Sequence, residues 1–282
     1  GRNPKGLYLL VSGDGYRFRL RNRKPFATEG AFDSQNLMFW DPVKKTYREY
    51  HRQFDQGVRG IMTATSKEPG TFPKPQWLEY PDATEQALYT NQIQPYYRAP
   101  HILIGFPMRY NDRGWSRSMK QLPGLDEREY RAKKHPRYGT TVTDAAFMTS
   151  RDGVTFHRWG EAFIRPGPAQ KDSWVYGDNF IFWGMLQTKS HLAGADDEIS
   201  LYATEGYWEG SSTSFRRYTL RQDGFVSASA GWKGGRLLTK PIVFDGNQLE
   251  LNFATSAAGA VRVEIQEIEV MKLPQLRRDA PS

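Results

Sequence analysis

The chain has no cysteine among its 282 residues. That excludes disulfide staples, thiolate nucleophiles, cysteine-held zinc and iron–sulfur clusters together. No apolar run approaches the roughly 20 residues that a membrane-spanning helix needs, and the mean hydropathy of −0.69 agrees. The opening GRNPKGLYLLVS carries no apolar signal region. Histidine is scarce, and His51, His101, His135, His157 and His191 stand singly, without metal-ligand spacing. Neither G-x-S-x-G nor G-x-x-x-x-G-K-[ST] occurs, so serine-triad and phosphate-loop chemistries lack their motifs. Helical patterns are few. Residues 126–134 (DEREYRAKK) predict about two turns, with acids early and bases late as the helix dipole favours.

What is abundant is aromatic: 8 Trp, 15 Tyr and 16 Phe. Aromatic faces lie against sugar rings, and they also fill the space between β-sheets. Both uses point to an all-β protein with an aromatic-lined site. Lys and Arg number 39 against 31 Asp and Glu, a net charge of +8. That balance suits acidic partners without demanding them. Residues 17–24 and 113–137 are the most basic, yet no recognised nucleic-acid module accompanies them. They read as solvated faces, so neither nucleic acid nor membrane is expected as a partner.

Short alternating runs, separated by Gly, Pro, Asn and Asp, predict strands over 6–12, 16–23, 36–40, 46–52, 60–66, 101–110, 145–150 and 199–204. The stretch 110–139 reads as a long excursion. An internal repeat organises the pattern. Ser12-Gly-Asp14-Gly15-Tyr-Arg-Phe18 is echoed by Ser150-Arg-Asp152-Gly153-Val-Thr-Phe156, each following a small apolar strand. A tight Asp-Gly hairpin followed by an aromatic packed between sheets is the expectation. Radial repetition of such units makes a β-propeller, and an ordinary sandwich with two similar hairpins is the plainer alternative. From Gly234 onward the texture changes to alternating aliphatics such as Leu237, Ile242, Leu249, Leu251 and Val263. The expected division is a propeller of three to four blades over 1–230 and a partial β-sandwich over 231–282.

The segments FDSQNLMFWDP (32–42), LYTNQIQPYYRAPHILIGFPMRY (88–110), TDAAFMTSRDG (143–153) and EISLYATE (198–205) resemble bacterial glycosidase-like proteins related to glycoside hydrolase families 32 and 43. Residues 234–267 resemble the β-sandwich that follows the propeller in those proteins. The resemblance implies a five-bladed propeller and a furanosidase-like hydrolase of plant or algal oligo- or polysaccharides. It implies a secreted or periplasmic setting, with the cytoplasm left open. It also implies further chain at both ends, with a catalytic carboxylate of a first blade in the N-terminal part. No cofactor is implied. A calcium ion on the propeller axis is conceivable, though no sequence feature requires it.

Glycoside hydrolysis uses two carboxyl groups flanking the scissile bond, one protonated and one ionised. The resemblance adds a third acid that orients the sugar. Three acids stand where inner strands would meet a central funnel: Asp33, Asp144 and Glu198. Each has a plainer reading. Asp33 suits a turn that caps its own backbone, Asp144 suits the turn that begins its strand, and Glu198 follows the solvated acids Asp196 and Asp197. The sugar-binding candidates are Gln35, Asn36, Asn91, Gln92, Tyr97, Arg98, His101, Asn179 and Trp183. Pro95 and Pro100 stiffen the segment 91–101, which lowers the ordering cost of binding. A surface-loop role serves Arg98 and His101 equally well or better, and core packing between sheets serves Trp183 better. Two functions follow: a glycoside hydrolase using Asp33, Asp144 and Glu198, or a carbohydrate-binding propeller without turnover.

Overall fold

The computed structural model describes residues 4–171, 173–207 and 213–266. The chain divides into two units, Gly1–Thr219 and Leu220–Ser282.

The first unit is built of short antiparallel strands. β1 (Leu10–Val11) and β2 (Arg19–Leu20) form a two-stranded ribbon. β3 (Leu37–Asp41), β4 (Thr46–Asp55), β5 (Val58–Ser66) and β6 (Gln76–Trp77) form a four-stranded meander in chain order. A second four-stranded sheet joins β7 (Gln94–Tyr96), β8 (Ala99–Gly105), β11 (Met148–Ser150) and β12 (His157–Arg158). Between β8 and β11 the chain leaves as the ribbon β9 (Met108–Asp112) and β10 (Thr141–Ala145). That ribbon carries α1 (Arg117–Lys120), α2 (Leu125–Ala132) and α3 (Arg137–Thr140) at its tip. β13 (Leu186–Thr188), β14 (Glu198–Glu205) and β15 (Ser214–Arg221) make a three-stranded sheet. The architecture is mostly β, in several open sheets.

The excursion is therefore more ordered than its Arg, Gly and Pro content predicts. The helix expected over 126–134 is α2, with Asp126 and Glu127 in its first turn and Arg131 in its last. Two shorter helices flank it. The first is capped by Ser116, whose Oγ accepts from the Met119 amide at 3.3 Å. The single strand expected over 101–110 is broken in two. Residues up to Gly105 stay in β8, and from Met108 the chain pairs with β10 instead.

The internal repeat is real at the level of hydrogen bonds. Asp14 Oδ1 accepts from the amides of Tyr16 and Arg17 at 2.9 and 2.8 Å. Asp152 Oδ1 accepts from Val154 and Thr155, both at 2.8 Å. Ser12 Oγ and Ser150 Oγ each accept from the following glycine amide, Gly15 and Gly153, at 2.9 and 2.8 Å. Both glycines have positive φ, +76° and +84°, where a Cβ would be strained. The strand registers match as well: Val11 faces Arg19, and Thr149 faces His157. The loop is wider than the two-residue hairpin expected of Asp-Gly, because side-chain acceptors replace the inter-strand bonds of a tight turn. The two-residue turn stands elsewhere, at Gln56-Gly57 between β4 and β5, where both residues have positive φ.

The aromatic that ends each repeat behaves differently. Phe156 is fully buried, whereas Phe18 is 60% exposed. Phe156 meets the edge of Tyr50 at 6.5 Å and joins a core of Tyr50, Ile61, Leu78, Leu88, Ile93, Leu103 and Met148. This core packs the β3–β6 meander against the β7–β12 sheet. It is an apolar contact that helps position the segments described below.

In the second unit, no helix or strand follows Arg221 among the described residues. The sandwich strands expected from 231 are absent there up to 266, and 267–282 lie outside the described residues. Leu237, Ile242, Phe244, Leu249 and Val263 are exposed. Alternation supplies one apolar face per strand, but a sandwich forms only when a second sheet covers that face.

Candidate functional site

The polar cluster before β3 and the segment before β7 come together. Gln35 Nε2 donates to Gln92 Oε1 at 2.6 Å across 57 residues of chain. Gln35 Oε1 accepts from the amides of Asn91 and Gln92, each at 3.3 Å. Ser34 Oγ donates to the Tyr89 carbonyl at 3.3 Å. These bonds hold Gln92 at φ +52°, a left-handed conformation that costs a non-glycine residue energy unless neighbours enforce it. Asn91 and Gln92 are buried. Asn91 Oδ1 accepts from the Ile93 amide at 3.1 Å, and Trp183 Nε1 donates to the Ile93 carbonyl at 2.9 Å. Gln35, Asn91, Gln92 and Trp183 are thus neighbours, as a shared binding role requires. Trp183 is 49% exposed, so it is not the packing residue between sheets that the plainer reading favours. Its indole N–H is anchored while part of the ring faces solvent.

The remaining binding candidates have other places. Asn36 Nδ2 donates to the Phe32 and Ser34 carbonyls, closing its own turn. Tyr97 and Arg98 form the tip of the β7–β8 hairpin, at the far end of β7 from Gln92. His101 is exposed in β8. Asn179 is buried at φ +63° and donates to the Thr143 carbonyl at 3.1 Å, which ties its loop to β10.

Beside Gln35 lies a cavity of about 420 Å³. Six aromatic side chains line it, Tyr89, Tyr176, Phe180, Phe182, Tyr207 and Phe215, together with Ser34, Gln35, Met108 and Thr204. The tyrosines form one network. Tyr176 meets Tyr89 at 5.9 Å, Tyr110 at 5.5 Å and Tyr207 at 5.8 Å between ring centroids. Burial pushes the Tyr176 phenol well above its ordinary pKa, and its hydrogen bond with Tyr89 adds to the rise. It therefore stays neutral and serves as a hydrogen-bonding group. Asp178 follows Gly177 of the lining, is buried, and accepts from the Tyr207 amide at 2.9 Å. It was not among the sequence candidates; the signal was an acid directly before Asn179 in a glycine turn.

Each of the three candidate acids is engaged by an arginine. Asp33 pairs with Arg52. Burial pushes the Asp33 carboxyl up, but the hydrogen bond and charge of Arg52 outweigh this and hold it below the usual carboxylate range. Its side chain is 79% exposed, and the next two residues, Ser34 and Gln35, line the cavity. Asp144 accepts two bonds from Arg109, at 2.7 and 2.9 Å. It faces Arg109 across the β9–β10 ribbon, while its neighbour pair is Ala145 with Met108. Side chains alternate along a strand, so Asp144 lies on the opposite face from the cavity-lining Met108. Glu198 accepts from Arg217 at 2.9 Å. It begins β14, and Thr204 of the lining lies six residues on, roughly 20 Å along the strand. Of the three acids, Asp33 directly precedes the lining residues Ser34 and Gln35, and the other two lie elsewhere on the same sheets.

A buried pair outside the sequence candidates is His51 Nδ1 with Glu49 Oε2 at 2.7 Å. Among the described residues, no three His, Asp or Glu side chains converge as metal ligands. No described helix is long and apolar enough to cross a membrane.

No protein-family model matches the chain, and no curated protein matches its sequence. Among solved structures, it is similar to an N-acetylgalactosamine deacetylase from F. plautii in complex with blood group B trisaccharide. There the TM-score is 0.42 at 12% identity, over 69% of this chain and 45% of that one. A glycoside hydrolase matches with a TM-score of 0.40 at 13% identity, over 72% and 52% of the two chains. The chain spans about half the length of these two structures.

Proposed function

We propose that the chain is a glycosidase-like domain that takes a saccharide into the aromatic cavity beside Gln35. One observation carries this reading: six aromatic side chains and the polar side chains of Ser34, Gln35 and Thr204 line a single cavity of about 420 Å³. Flat apolar faces stack on the C–H faces of sugar rings, and a few fixed hydrogen-bonding groups orient the hydroxyls. Trp183, half-exposed and tied by its indole N–H to the Ile93 carbonyl next to Gln92, offers a further ring face to solvent. The finer form of the proposal makes the two four-stranded sheets and the three-stranded sheet blades of a five-bladed propeller. The apolar alternation over 237–265 then supplies faces for a sandwich module that forms once a second sheet covers them. The substrate is a plant or algal oligo- or polysaccharide, and a secreted or periplasmic setting suits it.

In the hydrolytic form of this reading, Asp33 is the ionised carboxylate that acts as nucleophile or base. That form needs Glu198 as proton donor and Asp144 as orienting acid around the same bond, with the catalytic pair about 5–9.5 Å apart. Asp144 faces away from the cavity and Glu198 begins β14 roughly 20 Å along the strand from Thr204, which weighs against it. A second reading, binding without turnover, is favoured by a specific observation: each of the three carboxylates already has a guanidinium partner. A panel of aryl glycosides and plant and algal polysaccharides separates the two, with product release and calorimetric binding measured in parallel. Binding with hydrolysis supports the first form, and binding alone the second. Neither binding nor hydrolysis across the panel ends the carbohydrate reading.

A further inference from the structure

Three arginines gather on the tyrosine network that borders the cavity. Arg52 and Arg59 come from β4 and β5, where Arg52 faces Ile61 and Phe54 faces Arg59. This register makes the two arginines diagonal neighbours on one face of the sheet. The Arg52 guanidinium carbon lies 5.0 Å from the centroid of Tyr89, and that of Arg59 lies 5.6 Å from it. Arg59 also sits 4.3 Å from the centroid of Tyr110, and Arg137 of α3 sits 5.7 Å from the same ring. Tyr89 and Tyr110 are stacked at 6.3 Å, and Tyr89 lines the cavity. The three cations are therefore held on two stacked rings, one of which forms part of the cavity wall.

Their charges are poorly compensated. Only Arg52 has a carboxylate partner among the described residues, and that partner, Asp33, is largely exposed. The Nε atoms of Arg52, Arg59 and Arg137 are all buried without a hydrogen-bond partner. Burial pushes the Arg59 pKa down, and the charges of Arg137 and Arg52 push it further the same way, against the opposing effect of Tyr110. Tyrosine faces attract guanidinium groups, yet stacking leaves in-plane N–H donors of Arg59 and Arg137 unused, and Arg52 spends one on Asp33. Like charges gathered in a partly buried cluster, with donors to spare, suit an anion that accepts in the plane of the guanidinium.

We infer that Arg52, Arg59 and Arg137 form a subsite for an anionic oxygen group, a uronate carboxylate or a sulfate ester, on the saccharide held in the adjoining cavity. The inference rests on the carbohydrate reading above and names the class of sugar. Asp33 is the built-in competitor: it occupies Arg52 in the free protein and leaves the other two guanidiniums for the ligand.

The test is calorimetric titration with three matched oligosaccharides, one neutral, one carrying a uronate and one carrying a sulfate ester. The wild type, Arg59→Gln, Arg137→Gln and Arg59→Lys are compared, with each variant's fold checked by its thermal melt. The wild type is expected to prefer one acidic sugar over the neutral one by about tenfold to a hundredfold, as charge-assisted hydrogen bonds give. The preferred acid tells carboxylate from sulfate. Arg59→Gln and Arg137→Gln should each reduce that ratio about tenfold, and Arg59→Lys should keep part of it. Should Arg59→Gln not fold, Arg137→Gln decides the matter, since α3 lies in the excursion outside the core. Equal affinity for neutral and acidic sugars, or a preference that survives both glutamine variants, overturns this inference and leaves the carbohydrate reading standing. Failure of all three sugars to bind overturns both.

Discussion

Gln35 and Gln92 share a side-chain hydrogen bond of 2.6 Å, and the same Gln35 caps two backbone amides next to its partner. One amide side chain thus joins the loop before β3 to the loop before β7, while its flank lines the aromatic cavity. Replacing Gln35 by Ala leaves an amide oxygen and two backbone N–H groups without partners. A destabilisation of about 1–3 kcal/mol is expected, with weaker saccharide binding. Urea unfolding and titration measure the two effects. A stability within error of the wild type would show that Gln35 is not the clasp described.

The two glycines of the repeat make a matched pair. Gly15 and Gly153 share the same turn and a similar positive φ. A Cβ on Gly15 meets nothing within 4 Å, whereas one on Gly153 collides with the Arg48 guanidinium. Arg48 is itself buried in an ion pair with Asp41 at 2.7 Å, so it cannot swing clear cheaply. Gly15→Ala should cost about 1–2 kcal/mol from backbone strain alone. Gly153→Ala should cost about 2–4 kcal/mol, with the steric clash added. Equal losses in thermal or urea unfolding would mean that Arg48 relaxes freely.

Acid titration should report on Asp152. Burial raises its pKa, but hydrogen bonds from the Val154 and Thr155 amides and from Ser150 outweigh this and leave it lowered from 3.8. The folded state therefore prefers the ionised form. The resulting stability is fully present above the unfolded value of about 3.9 and is lost as pH falls through the lower folded value. Asp152→Asn should be less stable than wild type at neutral pH and lose less on acidification across that window. A parallel loss in both proteins would assign the acid sensitivity to other carboxylates.

The hydrolytic form of the proposal is most exposed at Glu198. Glu198→Gln keeps shape and an acceptor for Arg217, and removes the carboxyl's charge and its transferable proton. If Glu198 is the acid, hydrolysis should drop by about 10²–10⁴-fold while saccharide affinity persists. A fall smaller than about tenfold removes Glu198 from that role. The distance along β14 between Glu198 and the cavity makes this the sharpest test of where the bond is cleaved.

Much of the local structure was legible from residues alone, because it is made by short-range forces. The Ser-x-Asp-Gly loops were readable since all their hydrogen bonds close within three residues of Asp14 and Asp152. Alternation located β3, β4, β5 and β14, and the charge order of 126–134 located α2. Gln35, Asn91 and Gln92 stood out as polar side chains beside apolar strands. Their mutual contact was not readable, since nothing local ties position 35 to position 92.

What the amino-acid order determined by itself is the β-rich character, the repeated loop and the aromatic supply for a binding surface. These follow from side-chain periodicity and turn chemistry, which act over a few residues. Only the tertiary structure decided that Phe156 is buried while Phe18 is not, because burial depends on whether another sheet offers a partner such as Tyr50. It likewise decided that the cavity forms beside Ser34 and Gln35, with Asp144 and Glu198 away from it. It also assembled Arg52, Arg59 and Arg137 around Tyr89 and Tyr110. Those groups come from two strands, a loop, a ribbon and a short helix spread over 86 positions. Electrostatic and packing contacts between such distant segments exist only once the sheets have folded against one another.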